Sequence, residues 1–180
     1  MTKNNLRIDE LLKDLESNDI KRQLNAVDGL VEKGGKQAVK ELIKLLSNES
    51  WHLRQHVAKA LGKLGTDIID QVIEAAKHGV WYVRSAASLA LGNIGAIDCL
   101  DPLLGFLEDE STRVRLSAED AILSIINKDR IKFVESYLSH KDADFQEFIL
   151  EKLKRIDKDL YKDIFDESYK ERSIERPEEK

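Results

Sequence analysis

An echo constrains this chain more than any other feature. WYVRSAASLALGNIG, Trp81 to Gly95, restates a segment thirty residues earlier, WHLRQHVAKALGKLG, Trp51 to Gly65. Both run aromatic, then Val or Leu, Arg, small residues and A-L-G-x-[LI]-G. Self-similarity at a fixed spacing marks repeat architectures, whose units bury their apolar faces only against neighbouring units.

The echo extends along most of the chain. Apolar residues at offsets 0, 3, 4 and 7 occur at Ile8, Leu11, Leu12 and Leu15. They return at Val39, Leu42, Ile43 and Leu46, at Ile69, Val72, Ile73 and Ala76, and at Leu100, Leu103, Leu104 and Leu107. At Ile131, Val134 and Leu138 three of four survive, Glu135 filling the fourth place, and near Tyr161, Ile164 and Phe165 the pattern degrades. Such offsets share one helical face, so each set predicts the second helix of a pair. The first helices carry a marker column, Gln23, Arg54, Arg84, Arg115 and Gln146, followed three and four places later mainly by small or apolar residues. Pairs are expected to start near Asp19, Trp51, Trp81, Thr112 and Ala143, after a leading half-repeat over about residues 5–17, with Asn18, Ser50 and Ser111 as N-caps.

Gly34, Gly65 and Gly95 stand eleven places after their markers, where a left-handed residue ends a helix. Gly62 and Gly92 fall inside the helical pattern, and glycine there costs about 0.5–1 kcal/mol relative to alanine. A repeated cost implies a repeated reason, close helix approach. The predicted fold is all-α: an α-solenoid of about five helix pairs of 30–31 residues plus the half-repeat. It forms a single domain over 1–168, with a charged tail, 169–180, expected to be disordered.

Composition agrees. With 9 Gly and 2 Pro in 180 residues, breakers are too few for anything but long helical stretches. A formal net charge of −5 argues against nucleic acid as the main partner. The single cysteine, Cys99, excludes an intramolecular disulfide and a thiolate cluster, and a reducing cytoplasm is the expected compartment. No signal peptide is expected at MTKNNLRIDELLKDL, and no apolar run is long enough to predict a membrane span.

The chain resembles the HEAT-like repeats of the phycobilisome-lyase type, whose pattern is roughly V-R-x-x-A-A-x-A-L-G-x-[LI]-G. Val83, Arg84, Ala87, Ala90, Leu91, Gly92, Ile94 and Gly95 match it best. Leu53, Arg54, Ala58, Ala60, Leu61, Gly62, Leu64 and Gly65 match nearly as well, while the other repeats keep the spacing and lose much of the wording. The resemblance implies a solenoid and covers about residues 5–168. Its family mixes scaffolds, adaptors and a few enzymes, so function must be argued from sites.

One candidate set is structural. Asp67, Asp98 and Asp129 fall at one repeat position before the second helices, opposite the marker arginines, and Gln37 stands there where the marker is Gln23. Matched periodic charge predicts Arg–Asp contacts between repeats, with Arg54, Arg84 and Arg115 as rungs, resembling the ladder known in this family. The functional alternative is a phosphate-binding arginine row.

Candidate functional residues are sparse. His52 and His56 are four apart but lack the Glu of H-E-x-x-H and a third ligand. Deoxyhypusine hydroxylase, built from similar repeats, holds iron with His–Glu pairs, and no His–Glu dipeptide occurs here. Cys99 lies between Asp98 and Leu100, where the acidic neighbours oppose thiol activation and an inert thiol is expected. Trp51 and Trp81 share one repeat position and read as inter-repeat packing or as binding hot spots, packing being favoured.

The second helices are expected to line a concave groove. It would begin acidic, at Glu41, Asp70 and Glu74, and end aromatic, at Phe106, Phe133 and Tyr137, unless neighbouring repeats cover those rings. The expected function is a non-catalytic protein-binding scaffold or adaptor, taking a peptide or partner protein on that concave surface, without cofactor or metal. An enzyme subunit, bilin lyase-like or hydroxylase-like, is the alternative, and a nucleic-acid reader the third.

Overall fold

Five first helices start where the repeat column places them. They are α2 (Ile20–Lys33), α4 (Trp51–Gly62), α6 (Trp81–Ile94), α8 (Thr112–Lys128) and α10 (Ala143–Ile156). The computed structural model describes residues 7–77, 79–139, 143–162, 164 and 166. The predicted tail, 169–180, lies outside the described residues. Between the first helices run α3 (Gly35–Lys44), α5 (Ile69–Lys77), α7 (Leu100–Phe106) and α9 (Arg130–Ser139), and α1 (Ile8–Leu15) leads the chain. Single 3-10 turns extend α3 and open α5 and α7, at Leu45–Ser47, Thr66–Ile68 and Ile97–Cys99. The architecture is an all-α solenoid of helix pairs, with no strand among the described residues. Its contacts divide it into two compact units, Met1–Ile125 and Ile126–Lys180.

In the first unit the core follows the predicted offsets. Leu42 and Leu46, Val72 and Ala76, and Leu103 and Leu107 are buried on the second helices. Val27, Val57, Leu61, Ala87, Leu91, Ala118 and Ile122 face them from the first helices. Cys99 is fully buried, so it belongs to this core.

The glycines act as the pattern implied. A Cβ on Gly62 would stand 2.6 Å from Asn93 Cβ and 2.9 Å from its carbonyl carbon. One on Gly92 would stand 2.7 Å from Ala121 Cβ and 2.8 Å from Ala121 Cα. The C-terminal ends of α4 and α6 therefore approach the backbone of the next first helix directly, at Asn93 and Ala121, which any side chain would prevent. Gly95 ends α6 in the left-handed conformation, at φ 68 and ψ 24. Gly34 and Gly65 also take positive φ, but with ψ of −167 and −158, a region open essentially to glycine alone.

Capping differs from expectation by one residue at α2. Asp19, not Asn18, accepts from Lys21 N–H through its side chain. Ser50 caps α4 by accepting from Leu53 N–H, and the Ser111 carbonyl accepts from Val114 and Arg115 N–H at the start of α8.

The second unit departs from the predicted register. Ile131 is 74% exposed, whereas Phe133 and Tyr137 are 2% and 3% exposed. The buried set on α9 is thus one residue earlier, and Leu100, Leu103, Leu104 and Leu107 correspond to Arg130, Phe133, Val134 and Tyr137. Chemistry explains the slip. The predicted face would bury the Glu135 carboxylate, which is costly without a partner. The observed face buries two large rings, each worth more apolar area than an aliphatic side chain. Arg130 stays at the edge, Nη1 3.3 Å from Asp157 Oδ2. Ile149 and Leu153 of α10 and the following Leu160 and Ile164 complete this core.

Candidate partner-binding groove

The junctions between pairs set the geometry of the site. Ser17, Asn48 and Asp109 each stand six residues before a marker. Each folds the linker through its side chain, accepting the N–H two residues on: Asp19, Ser50 and Ser111 at 3.2, 2.9 and 2.8 Å. The marker side chain then binds the carbonyls this turn presents. Gln23 Nε2 donates to Leu15 O and Ser17 O, Arg54 Nη1 to Asn48 O and Glu49 O, and Arg115 Nη1 to Asp109 O and Glu110 O. In the second unit Gln146 Nε2 donates to Tyr137 O, and Tyr137 Oη donates back to Gln146 O.

The markers are therefore clamps on the preceding junction, and the Arg–Asp ladder changes accordingly. Arg84 alone carries a carboxylate across to the next junction. Its Nε and Nη2 donate to Asp109 Oδ2 and Oδ1 at 2.6 and 2.8 Å, while Nη1 holds Gly79 O. That fork holds the Asp109 carboxyl below the usual aspartate range, and the same bond raises Arg84. The predicted partners lie elsewhere. Asp67 and Asp98 are exposed and pair with no arginine among the described residues. Asp129 instead caps α9, its Oδ1 accepting from Lys132 N–H. The phosphate-row alternative weakens as well, because Arg54, Arg84 and Arg115 each bind carbonyls of the protein and Arg84 also a carboxylate.

Arg54 has a different neighbour. Its guanidinium lies 4.7 Å from the centre of the Tyr82 ring, a cation–π contact from one repeat to the next. Trp81 meets Tyr82 edge to face at 5.6 Å. These rings form one wall of a groove of about 260 Å³ across the N-terminal halves of α4, α6 and α8. Trp51 and Gln55 line it from α4, Leu89 joins Trp81 and Tyr82 on α6, and Arg113 and Asp120 line it from α8. Ser85 Oγ and Ser117 Oγ, 2.7 Å apart, close its floor. The same helices that touch through Gly62 and Gly92 at one end leave this opening at the other.

Trp51 and Trp81 are 55% and 48% exposed, so inter-repeat packing does not absorb them. Among the described residues, the side chains of Gln55, Arg113 and Asp120 make no hydrogen bond or ion pair, so their polar groups face the groove or water. The sequence raised the tryptophans as hot spots but favoured packing. The cation and anion on α8 carry no sequence signal beyond falling in no repeated column.

The aromatic cluster expected on the second helices is not assembled. Phe133 and Tyr137 are core, as described above, and Phe106 is half-buried in the first unit. Of the acidic residues, Glu41 pairs with Lys44 at 2.9 Å and Glu74 with Lys77 at 2.8 Å, leaving Asp70 exposed. His52 is exposed against Trp51. His56 is half-buried with Nε2 3.1 Å from Asp28 Oδ1, an approach whose alignment is not that of a hydrogen bond. The described residues hold no group of three His, Cys, Asp or Glu arranged for a metal. No described helix is long and apolar enough to cross a membrane.

Stacked helix pairs joined by clamped junctions define an α-solenoid repeat protein. The family model for HEAT repeats matches residues 8–75 and 69–154, and the chain belongs to that family. Its structure is similar to the complex of CpcE and CpcF of phycocyanin lyase from Nostoc sp. PCC7120, at 21% identity and a TM-score of 0.49, over 79% of this chain and 95% of that one. It is also similar to an engineered protein, at 22% identity and a TM-score of 0.37, over 92% and 87% of the two chains. A third likeness is to a designed armadillo repeat protein in complex with the peptide (KR)4, at 19% identity and a TM-score of 0.35, over 81% and 79%. At such identities these likenesses concern the fold alone. No curated protein matches the sequence.

Proposed function

We propose that this chain is a non-catalytic scaffold that binds a partner protein or peptide, and that it does so across α4, α6 and α8. On the same reading its repeats are of the phycobilisome-lyase HEAT-like type, since the Val83-Arg84 to Gly95 segment carries that wording. The observation that supports the function is the pair of half-exposed tryptophans at one repeat position, flanking a groove with unpaired polar groups. A tryptophan buries about 150–250 Å² when covered. Leaving half of that open in two places forgoes roughly 2–3 kcal/mol each at about 25 cal/mol per Å², which a partner can recover in part. Tryptophans are also the side chains most enriched among interface hot spots. This site replaces the second-helix groove, whose aromatic end is internal.

The test is selection from a displayed random peptide library against the wild type, followed by binding to the Trp51→Ala/Trp81→Ala double variant. Far-UV circular dichroism verifies that the variant is folded. The selected peptides should lose binding to the variant. Peptides that bind the folded double variant as tightly as the wild type would sink the proposal.

A further inference from the structure

One face of α8 carries an ordered line of side chains that nothing in the chain covers. Val114, Ala118, Ala121, Ile122 and Ile125 turn inward and are buried. The opposite side presents Arg113, Leu116 and Asp120, at offsets 0, 3 and 7, which share one line along a helix. All three are exposed, Leu116 to 50%. A single exposed leucine is ordinary on a protein surface. What distinguishes Leu116 is the pair of opposite charges that brackets it.

Neither charge finds a partner among the described residues. Ion pairs within a helix form between residues three or four apart. In that range α8 offers Arg113 only Leu116 and Ser117, and offers Asp120 only Leu116, Ser117, Leu123 and Ser124. The acids just before the helix, Asp109 and Glu110, are bound by Arg84 at 2.6 and 3.2 Å. Glu119 stands about 100° round the helix from Asp120, off the line. Arg113 and Asp120 themselves are seven residues apart, about 10 Å of helix at 1.5 Å per residue.

The line has a symmetry of its own. In one direction it runs cation, leucine, anion, and reversing the direction gives the same order with the charges exchanged. The helix that complements it is therefore α8 itself, laid antiparallel. A two-fold axis between Leu116 and Ser117 sets Arg113 opposite Asp120 of the second copy and Asp120 opposite its Arg113, while the two Leu116 side chains meet at the centre. Contacts in which residue i meets j and j meets i define the isologous two-fold dimer, the commonest oligomer. Each guanidinium can grip its carboxylate through two hydrogen bonds. A parallel arrangement would set like charges against each other, which is costly.

We infer that this face of α8 binds a second copy of the chain, antiparallel about that axis. The line lies wholly within the first unit, Met1–Ile125. The dimer goes beyond the partner-binding reading and does not depend on it, although Arg113 and Asp120 also line the groove. One helix from each copy buries less than the about 1,200–2,000 Å² of standard interfaces, so the dimer is weak and forms as concentration rises.

Sedimentation velocity over a hundredfold concentration range, reaching about 1 mM, reads the association. The wild type should pass from monomer to dimer, and less readily at high salt, which screens exposed charges. Arg113→Asp alone, or Asp120→Arg alone, sets like charges across the axis and should weaken the dimer about tenfold or more. Arg113→Asp and Asp120→Arg together restore opposite charges and should recover association, a rescue that misfolding cannot produce. A thiol locates the axis. Cys99 is fully buried, so Leu116→Cys supplies an accessible thiol beside its counterpart, and mild oxidation should give a covalent dimer. Ser124→Cys is also on the exposed side, but in this arrangement it stands about 22 Å along the helix from its counterpart and should stay uncrosslinked. A monomer at every concentration overturns the inference. So does a dimer indifferent to both single reversals, or a double variant, folded by circular dichroism, that fails to recover association. None of these outcomes touches peptide selection at Trp51 and Trp81, which decides the partner-binding reading separately.

Discussion

In the middle repeats the rings of Trp51 and Trp81 stand about half in water, whereas in the C-terminal unit Phe133 and Tyr137 are inside. The two regions share a repeat plan but fill it differently. Around α4, α6 and α8 the contacts made by Gly62, Gly92, Asn93 and Ala121 bring backbones together at one end, and the tryptophan rings stand beside the opening at the other. No glycine follows Gly105 in the sequence, and the C-terminal pair fills its interior with bulk instead. Even the marker obeys this contrast. Arg54 holds junction carbonyls and a neighbouring ring, while Gln146 exchanges two hydrogen bonds with a buried tyrosine. Rings at the helix starts, beside an opening, are available to a partner, and rings turned into the interior become structure.

The strongest way to break this comparison is Phe133→Ala. Removing a buried ring should cost about 3–5 kcal/mol, read from urea unfolding. Peptide binding at the tryptophans should persist, since the change lies outside that groove. Ile131→Ala is the internal control, expected within about 0.5 kcal/mol of wild type because the side chain is largely exposed. Equal losses from the two variants would refute the one-residue slip in α9.

Next in size is Arg84→Met. It removes both fork bonds from Asp109, which keeps only Ser111 N–H, and should cost about 2–3 kcal/mol. The pH dependence follows from the sign of the shift. Arg84 holds the Asp109 pKa down in the folded state. The rung's stabilisation is therefore complete above the ordinary aspartate value, about 3.9, and is lost as pH falls below it through the depressed folded value. The stability gap between wild type and Arg84→Met, measured at pH 7 and again at successively lower pH, should be constant near neutrality and narrow only in that acid range. A gap that narrows between pH 7 and 5 would point to another group.

Much of this was readable beforehand, for reasons that differ by residue. The five first-helix starts were legible because their column is dense and the helices long. The close approach at Gly62 and Gly92 was legible because an interior glycine carries a cost that needs an explanation. The ladder was misassigned because Asp98 and Arg84 coincide in period, and period alone does not say which turn a guanidinium reaches. The informative column was Ser17, Asn48 and Asp109, hidden by its mixed chemistry: all three close the same turn with a side-chain oxygen. The α9 register failed because one missing residue in the linker rotates a helix by about 100°, at 3.6 residues per turn. The sequence left Glu135 as the warning. The exposure of Trp51 and Trp81 was not legible, since a repeated aromatic fits a packed or a free position equally well.

Gly92→Ala sharpens the comparison from the side of the tight core. An alanine normally gains up to about 1 kcal/mol over glycine inside a helix. Here its Cβ meets the Ala121 backbone, which cannot move aside cheaply, and overpacking costs about 1–3 kcal/mol. The clash should win, giving a net loss of roughly 1–2 kcal/mol. Gly105→Ala in α7 has nothing within 4 Å of the new Cβ and should instead stabilise by about 0.5 kcal/mol. Chemical unfolding of the two variants under one condition tests the pair, and the same sign for both would refute the tight approach at Gly92.

The smallest expected effect on stability belongs to the residues expected to matter most for binding. Trp81→Ala removes a ring that is half in water, losing one edge contact with Tyr82 and little core. Its cost should fall near 1 kcal/mol, well under the about 3–5 kcal/mol of a fully buried ring. Trp51→Ala, more exposed and touching His52, should cost less still. The thermal midpoint of each variant, set beside that of Phe133→Ala, measures the contrast directly. If either tryptophan proved as costly as Phe133, it would be core by energy whatever its exposure, and the case for a partner at this face would lose its main support. If both are cheap to remove while ligand binding falls, the rings are held at the surface at a cost that only an interaction outside the chain offsets.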